Sequence, residues 1–430
     1  MDYSGAIDWL FNMRRFGPVR TLFPMRELVE RLDHPEVAFR SVHITGTNGK
    51  GSTSAFAASI LRAQGYSVGL YTSPHLERFT ERIVVDGVEI PEAEVARIAS
   101  RLCPIVEEMA ARGGERPLFF DVVTAMAFVY FAERRVDVAV LEVGMGGRLD
   151  ATNIVTPLVS AITNVSLEHT QVLGNTVLEI AGEKAGIVKP SVPLVTATPD
   201  DSVYSLLAET CRKLGSEITR VGTDVTYDGI SSNLDGQRFT VKGLRGTYTL
   251  STTLLGPHQQ RNAATAVAVA EVLAVRGMEV SSDAIVRGVR EAKWPGRMEV
   301  VQREPLVVLD CAKDAEAARA LAEAVRLLPH GRLIAVVSIS ADKNIRKMVG
   351  HLAKVADSFV VTSHSVMGRA ADRRHIGAEI ERQGKPWVEV ERVGDAVERA
   401  LAGAGKGDMV LVTGSVFAVG EARRRWSGNP

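Results

Sequence analysis

The chain has 430 residues, 46% of them apolar and 24% charged, with 51 basic side chains balanced by 51 acidic ones. That length predicts two or three domains, and the even charge gives no reason to expect nucleic acid or an anionic membrane as the main partner. Cys103, Cys211 and Cys311 lack metal-ligand spacing and read as buried thiols of a reducing compartment. Met1 to Phe11 carries two acids and no basic residue before an apolar core, so no secretory leader is predicted. No apolar run is long enough to span a bilayer, and a cytoplasmic enzyme is the expectation.

Strand and helix patterns alternate along the first half, which predicts an α/β fold with a largely parallel sheet. Strands are expected at 37–45, 67–72, 136–143, 158–163 and 192–196, with helices at 52–64, 92–112, 122–134 and 176–188. Asp86-Gly87 marks a hairpin within 81–90. Residues 217–255 alternate and are broken by glycine, so an antiparallel ribbon is expected there. Helical pattern resumes at 259–276 and 282–292. Trp294-Pro295-Gly296-Arg297 then interrupts the helices and marks a linker, which places a domain boundary near residue 296 and gives domains 1–295 and 296–430. A second series follows, with strands at 306–309, 333–337, 359–362 and 409–412. Its helices are expected at 315–328, 343–356, 371–383 and 395–402. A cleft between two α/β domains suits a reaction with two substrates.

The most informative stretch is 43–53, His-Ile-Thr-Gly-Thr-Asn-Gly-Lys-Gly-Ser-Thr, between a predicted strand and a predicted helix. Gly46, Gly49 and Gly51 let the backbone turn its N–H groups onto an anion, and the helix N-terminus adds partial positive charge. Lys50 can reach phosphate oxygens, and Ser52 or Thr53 can offer a hydroxyl to Mg2+. The loop departs from the general Walker pattern: Ile44 stands where the first glycine belongs, and Gly51 displaces the hydroxyl. A plain glycine-rich turn is the simpler alternative, but it would not need the lysine.

Ser73, Glu142 and His169 each lie near the end of a predicted strand. In an open parallel sheet those ends converge on one crevice. A hydroxyl, a carboxylate and an imidazole there make a plausible Mg2+ shell, completed by nucleotide oxygens and water. The simpler readings are a surface or capping acid for Glu142 and a hydrogen-bonded core residue for His169.

The loop belongs to a set. Thr72-Ser73-Pro74-His75-Leu76, the run Leu141 to Asn153, Glu168-His169 and Ile180 to Ile187 follow it in order. Gly256-Pro257-His258-Gln259-Gln260-Arg261-Asn262-Ala263-Ala264, Trp294-Pro295-Gly296-Arg297 and Val412-Thr413-Gly414-Ser415 complete it. Together they resemble the folylpolyglutamate synthase/dihydrofolate synthase family, a branch of the Mur ligase superfamily, over nearly the whole chain. The resemblance implies an N-terminal P-loop-type ATPase domain with a mostly parallel sheet and a C-terminal Rossmann-like α/β domain. It implies an ATP-dependent ligase of folate and one-carbon metabolism that joins L-glutamate to a pterin-linked carboxylate, dihydropteroate or folate. The carboxylate takes the γ-phosphoryl group, and the amine then displaces phosphate from the acyl phosphate.

The resemblance also assigns residues. Gly46, Thr47, Asn48, Gly49, Lys50, Gly51 and Ser52 hold ATP, with Asn262, Arg297 and Asp310. Ser73, Glu142 and His169 hold Mg2+, joined by Lys184 after CO2 carbamylates it. Lys50, His169 and Lys184 form the catalytic set. Enclosure favours the neutral amine that carbamylation needs, although a solvated charged face is the plain reading of Lys184 beside Glu179 and Glu183. Phe120, Asp121, Leu149, Asp150 and Ala151 fall in the pterin-side region, where Phe119 and Phe120 could stack on a heterocycle or simply fill core. The implied partners are small molecules acting on a monomer. No side chain is assigned as general base for the amine.

One segment departs. Where the family has Asp-Gly-Ala-His-Asn-Pro, this chain has Asp310-Cys311-Ala312-Lys313-Asp314-Ala315, and Asn344 replaces a usual acid. The same ligase chemistry on another acceptor or amino acid, or an ATP-binding regulator on a degenerate ligase fold, are the alternatives this raises.

Overall fold

The computed structural model describes residues 1–14, 21–112, 115–366 and 368–428. Contacts gather the chain into two units. One comprises Met1–Asp228, Thr240–Leu250 and Arg261–Ala292; the other comprises Gly229–Phe239, Ser251–Gln260 and Lys293–Pro430.

The first unit is built on eight strands: β1 (Arg40–Thr45), β2 (Val68–Tyr71), β3 (Ile83–Val85), β4 (Val88–Glu89), β5 (Val138–Glu142), β6 (Val159–Ile162), β7 (Leu194–Thr196) and β8 (Ile218–Arg220). Their spatial order is β4-β3-β2-β5-β1-β6-β7-β8. The six strands from β2 to β8 in that order run parallel, and β3 and β4 close one edge as an antiparallel hairpin. Asp86 and Gly87 take φ of 53° and 83° at its turn, as a two-residue type I′ turn requires.

The central strands are apolar on both faces because helices cover both. Leu141 faces a cluster with helices Tyr3–Asn12, Phe23–Glu30, Glu92–Ala111 and Phe119–Glu133. Ile162 faces a second cluster with helices Val177–Ala185 and Asp201–Leu214. Register puts Leu141 opposite His43 and Ile162 opposite Thr45, so both clusters share one face. Helix Lys50–Gln64 covers the other face, against β1, β2 and β5, and helix Ser282–Glu291 packs on it.

Three more strands, β9 (Thr226–Asn233), β10 (Gly236–Lys242) and β11 (Thr247–Thr252), form a small sheet in the order β11-β10-β9. Buried Glu271 holds the turn before β11, accepting from Leu244 N, Arg245 N and Tyr248 Oη at 2.7, 2.8 and 2.8 Å.

The second unit carries β12 (Glu299–Arg303), β13 (Leu306–Leu309), β14 (Leu333–Val337), β15 (Ser358–Ser363), β16 (Trp387–Arg392) and β17 (Met409–Thr413) in the order β12-β13-β17-β14-β15-β16. Only β12 runs antiparallel to its neighbour. Helices Ala315–Val325, Ile345–Leu352 and Arg373–Glu381 share one core with Leu306, Val308, Leu333, Phe359 and Leu411. Helices Val393–Gly403 and Val416–Ser427 pack on each other. The last strand, β17, inserts between β13 and β14, and a change of direction of this kind opens a crevice at the strand ends.

Several sequence expectations shift. The first strand begins at Arg40, because Pro35–Val37 forms a 3-10 turn and Val37 is exposed. Helix 52–64 begins at Lys50, which puts the lysine in its first turn. Helix 122–134 begins at Phe119, with Asp121 Oδ2 accepting from Leu118 N at 2.7 Å. Residues Ile218–Arg220, expected in the ribbon, instead join the main sheet beside β7. The cysteines are unbridged; Cys211 and Cys311 are buried and Cys103 is half-buried. No helix among the described residues is long and apolar enough to cross a membrane.

Candidate active site

Strand register decides what meets at the C-terminal edge of the main sheet. Ile44 of β1 lies opposite Glu142 of β5, Tyr71 of β2 opposite Leu141, and Thr45 opposite Ile162 of β6. The residues that follow, Gly46–Lys50, Thr72–Ser73, Glu142 onward and Thr163–Asn164, therefore emerge side by side.

The glycine-rich loop is held from outside itself. Thr47 N donates to Asn164 O at 2.9 Å and Asn48 N to Asn164 Oδ1 at 2.8 Å. Thr163 Oγ1 donates to Asn48 O at 2.6 Å, and Thr47 Oγ1 accepts from Ser166 N at 3.0 Å. Lys50 Nζ folds over the loop, donating to Gly46 O at 2.9 Å and Thr47 O at 3.2 Å. Gly49 stands at the N-cap of helix Lys50–Gln64 with φ of 83°. A Cβ there would lie 2.5 Å from Asn262 Oδ1, so the amide of Asn262 rests against the loop. Gly51 and Ser52 lie in the first turn of that helix, and Ser52 is buried.

Ser73 N donates to Glu142 Oε2 at 3.0 Å. Glu142 is buried at the very end of β5. The loop that follows it is tied down on three sides. Thr45 Oγ1 donates to Gly146 O at 2.6 Å. Arg148 N donates to Glu183 O at 2.8 Å. A Cβ on Gly147 would fall 2.9 Å from Lys184 O. This backbone-to-backbone approach fixes buried Lys184, 2% exposed, against the Glu142 loop. His169 precedes helix Thr170–Leu173 with φ of 50°, its Nε2 3.4 Å from Glu168 Oε1. Leu173 of that turn packs on Gly146. Among the described residues no three His, Cys, Asp or Glu side chains form a metal-holding cluster. The oxygen donors of Ser73 and Glu142 at adjoining strand ends still suit magnesium, which keeps several waters and uses one or two protein anions with substrate phosphates.

The residues expected on the pterin side divide. Phe120, half-buried, lies 5.9 Å from Tyr71, and its ring edge covers Gly144. Phe119 is buried and stacks on Phe11 at 5.7 Å. Asp121 caps its helix, and Leu149 is half-buried. Asp150 is buried and closes its own loop: Oδ2 accepts from Met145 N at 2.9 Å, and Oδ1 from Thr152 Oγ1 at 2.6 Å. Ala151 is buried beside it.

In the second unit, Asp310 follows β13 and accepts from Met298 N and Ala312 N, both at 2.9 Å. Burial raises its pKa, and the nearby Arg297 guanidinium opposes that. Arg297 also donates to Gly296 O at 3.0 Å. Two of the departing residues cap helices: Asp314 Oδ1 accepts from Ala317 N at 2.9 Å, and Asn344 Oδ1 from Lys347 N at 3.0 Å. Aspartate and asparagine serve this purpose about equally. Sequence reasoning missed Thr163 and Asn164, which brace the phosphate loop. The available signal was a polar Thr-Asn pair directly after an apolar strand.

A phosphate-gripping loop with a carboxylate at the next strand end is the equipment of a nucleotide-driven group-transfer enzyme. Residues 106–270 match the Mur ligase middle domain, and residues 296–416 match the Mur ligase glutamate ligase domain. A probable bifunctional folylpolyglutamate synthase/dihydropteroate synthase of Halobacterium salinarum is 42% identical, over 99% of this chain and 52% of that protein, so the chain spans about half its length. A dihydrofolate synthase/folylpolyglutamate synthase of Bacillus subtilis is 35% identical over 98% of this chain and 99% of its own. The structure of Mycobacterium tuberculosis folylpolyglutamate synthase complexed with ADP matches with a TM-score of 0.91 at 31% identity, over 100% of this chain and 99% of that one. The chain belongs to the folylpolyglutamate synthase/dihydrofolate synthase family of Mur ligases.

Proposed function

We propose that this protein is an ATP-dependent amide ligase that joins L-glutamate to a pterin-linked carboxylate, dihydropteroate or folate, through an acyl phosphate. The Ser73–Glu142 bond beside the braced loop carries the reading, because it sets a carboxylate next to the place where a triphosphate would lie. Lys50 and the loop N–H groups grip phosphate. Asn262, Arg297 and Asp310 place the rest of ATP, with Asp310 toward the ribose hydroxyls. Ser73, Glu142, His169 and carbamylated Lys184 would hold Mg2+, which supplies neutralisation of charge on the transferring phosphoryl group.

Phe120 offers a flat apolar surface to a pterin, with Asp121, Leu149, Asp150 and Ala151 shaping that side. Alignment of acid and phosphoryl group then does most of the chemical work, while enclosure keeps water from the acyl phosphate. The protein acts as a cytoplasmic monomer on small molecules. The helix-capping roles of Asp314 and Asn344 weaken the case for a regulator that has lost its second substrate.

The test is phosphate release from ATP with dihydropteroate, with and without L-glutamate. Turnover that needs both compounds supports the ligase. ATP binding with no acceptor-dependent turnover, across a panel of acceptors and amino acids, overturns it.

A further inference from the structure

Two side chains of β1 reach into the loop that follows β5. Residues alternate across a strand, so His43 and Thr45 leave β1 on the same face. Thr45 Oγ1 donates to Gly146 O at 2.6 Å. His43 Nε2 lies 2.8 Å from Thr152 Oγ1, and both residues are fully buried.

The direction of the His43–Thr152 bond is forced. Thr152 Oγ1 donates to Asp150 Oδ1 at 2.6 Å, and a hydroxyl has one proton to give. Toward His43 the same oxygen can only accept. Burial, with the charge of Lys189, lowers the His43 pKa to about 3, so the ring is neutral and carries a single N–H. That hydrogen sits on Nε2. The bare nitrogen is then Nδ1, which has no hydrogen-bond partner among the described residues. The other tautomer would bury an unpartnered N–H and set two lone pairs facing each other at 2.8 Å.

A chain of donors therefore runs from His43 N–H to the Thr152 hydroxyl to the Asp150 carboxyl. It starts on the strand that feeds the phosphate loop and ends in the loop that carries Leu149, Asp150 and Ala151. Asp150 Oδ1 also accepts from Thr152 N at 3.1 Å, and Oδ2 from Met145 N at 2.9 Å, so both ends of that loop meet at this carboxyl. We propose that His43 is a positioning residue for the acceptor acid, acting through Thr152 to fix Asp150 and the loop around it. The inference rests on the ligase reading above, which puts that loop on the pterin side, and adds to it the buried group that holds the loop in place.

Two pairs of variants test it. His43→Leu and Thr152→Val keep the bulk and break the chain; His43→Gln and Thr152→Ser keep an N–H donor and a hydroxyl. In protein loaded with Mg2+ and a non-hydrolysable ATP analogue, the first pair is expected to raise the calorimetric Kd for dihydropteroate about tenfold, with affinity for the analogue unchanged. The second pair is expected to bind dihydropteroate as the wild type does. Because His43 acts through Thr152, the double variant His43→Leu/Thr152→Val should lose no more than Thr152→Val alone. Unchanged dihydropteroate affinity in the first pair, additive losses in the double variant, or an equal loss of nucleotide affinity overturns the proposal. So does a 15N spectrum at neutral pH that puts the His43 proton on Nδ1, the signal being identified by its absence in His43→Gln. Should His43→Leu not fold, Thr152→Val and this spectrum decide. Wild-type protein that neither binds nor turns over dihydropteroate overturns the ligase reading, whereas wild-type binding that the first pair leaves intact overturns this proposal alone.

Discussion

Ser73 and Glu142, 69 residues apart in sequence, are joined by one hydrogen bond of 3.0 Å from the Ser73 N–H to Glu142 Oε2. The bond ties one carboxylate oxygen to the backbone just past β2. Glu142→Gln keeps an oxygen for Ser73 but removes the charge. Turnover is expected to fall about a hundredfold or more, with the thermal midpoint nearly unchanged and more Mg2+ needed for half-maximal rate. A wild-type magnesium profile in this variant would remove Glu142 from the metal site.

Gly49 is a point where the phosphate loop cannot take a side chain. At φ of 83°, with Asn262 Oδ1 2.5 Å from a would-be Cβ, Gly49→Ala is both strained and blocked. It is expected to cost about 1–3 kcal/mol of stability and to weaken ATP binding. Trimming the obstacle in Gly49→Ala/Asn262→Ala should recover part of the stability loss, a coupling of about 0.5–3 kcal/mol. Denaturant melts of the two single variants and the double variant measure it; strictly additive losses would mean that the contact is not the cause.

Lys184 is enclosed at the end of helix Val177–Ala185, beside the loop after Glu142. Lys184→Ala is expected to abolish turnover while the protein stays folded. Wild-type protein in 13C-bicarbonate should show a carbamate carbon signal that the variant lacks. Unchanged activity, or no such signal in the wild type, would rule out the carbamate role.

His43 gives a pH signature. Burial, helped by the positive charge of Lys189, lowers its pKa from 6.5 to about 3. The unfolded chain therefore binds a proton across that window while the folded chain does not. Stability is present in full above 6.5 and declines as pH falls toward about 3, with a slope of at most about 1.4 kcal/mol per pH unit for one proton. His43→Gln should flatten denaturation midpoints measured from neutral to acidic pH. A slope equal to the wild type would show that other groups dominate.

The parts of the fold that were legible in the sequence are those with strong local signals. The parallel-sheet strands read as apolar runs because both of their faces are buried. The hairpin read from Asp86-Gly87, and the phosphate loop from residues that are neighbours in the chain. The edge strands β12 and β16 are mostly half-buried or exposed, so they lack such a run and went unseen. Thr163 and Asn164 were missed because a polar pair after an apolar strand does not say which loop, more than a hundred residues away, it braces.

The sequence by itself determined the α/β class, the identity of the phosphate loop and the set of motifs that mark a Mur ligase, because each depends on short-range turn chemistry or on periodicity. Tertiary structure alone decided which strand ends adjoin, and so that Ser73 meets Glu142, that Asn262 rests on Gly49 and that His43 meets Thr152. Strand order and register are settled by burial over the whole sheet, and no segment carries that information alone.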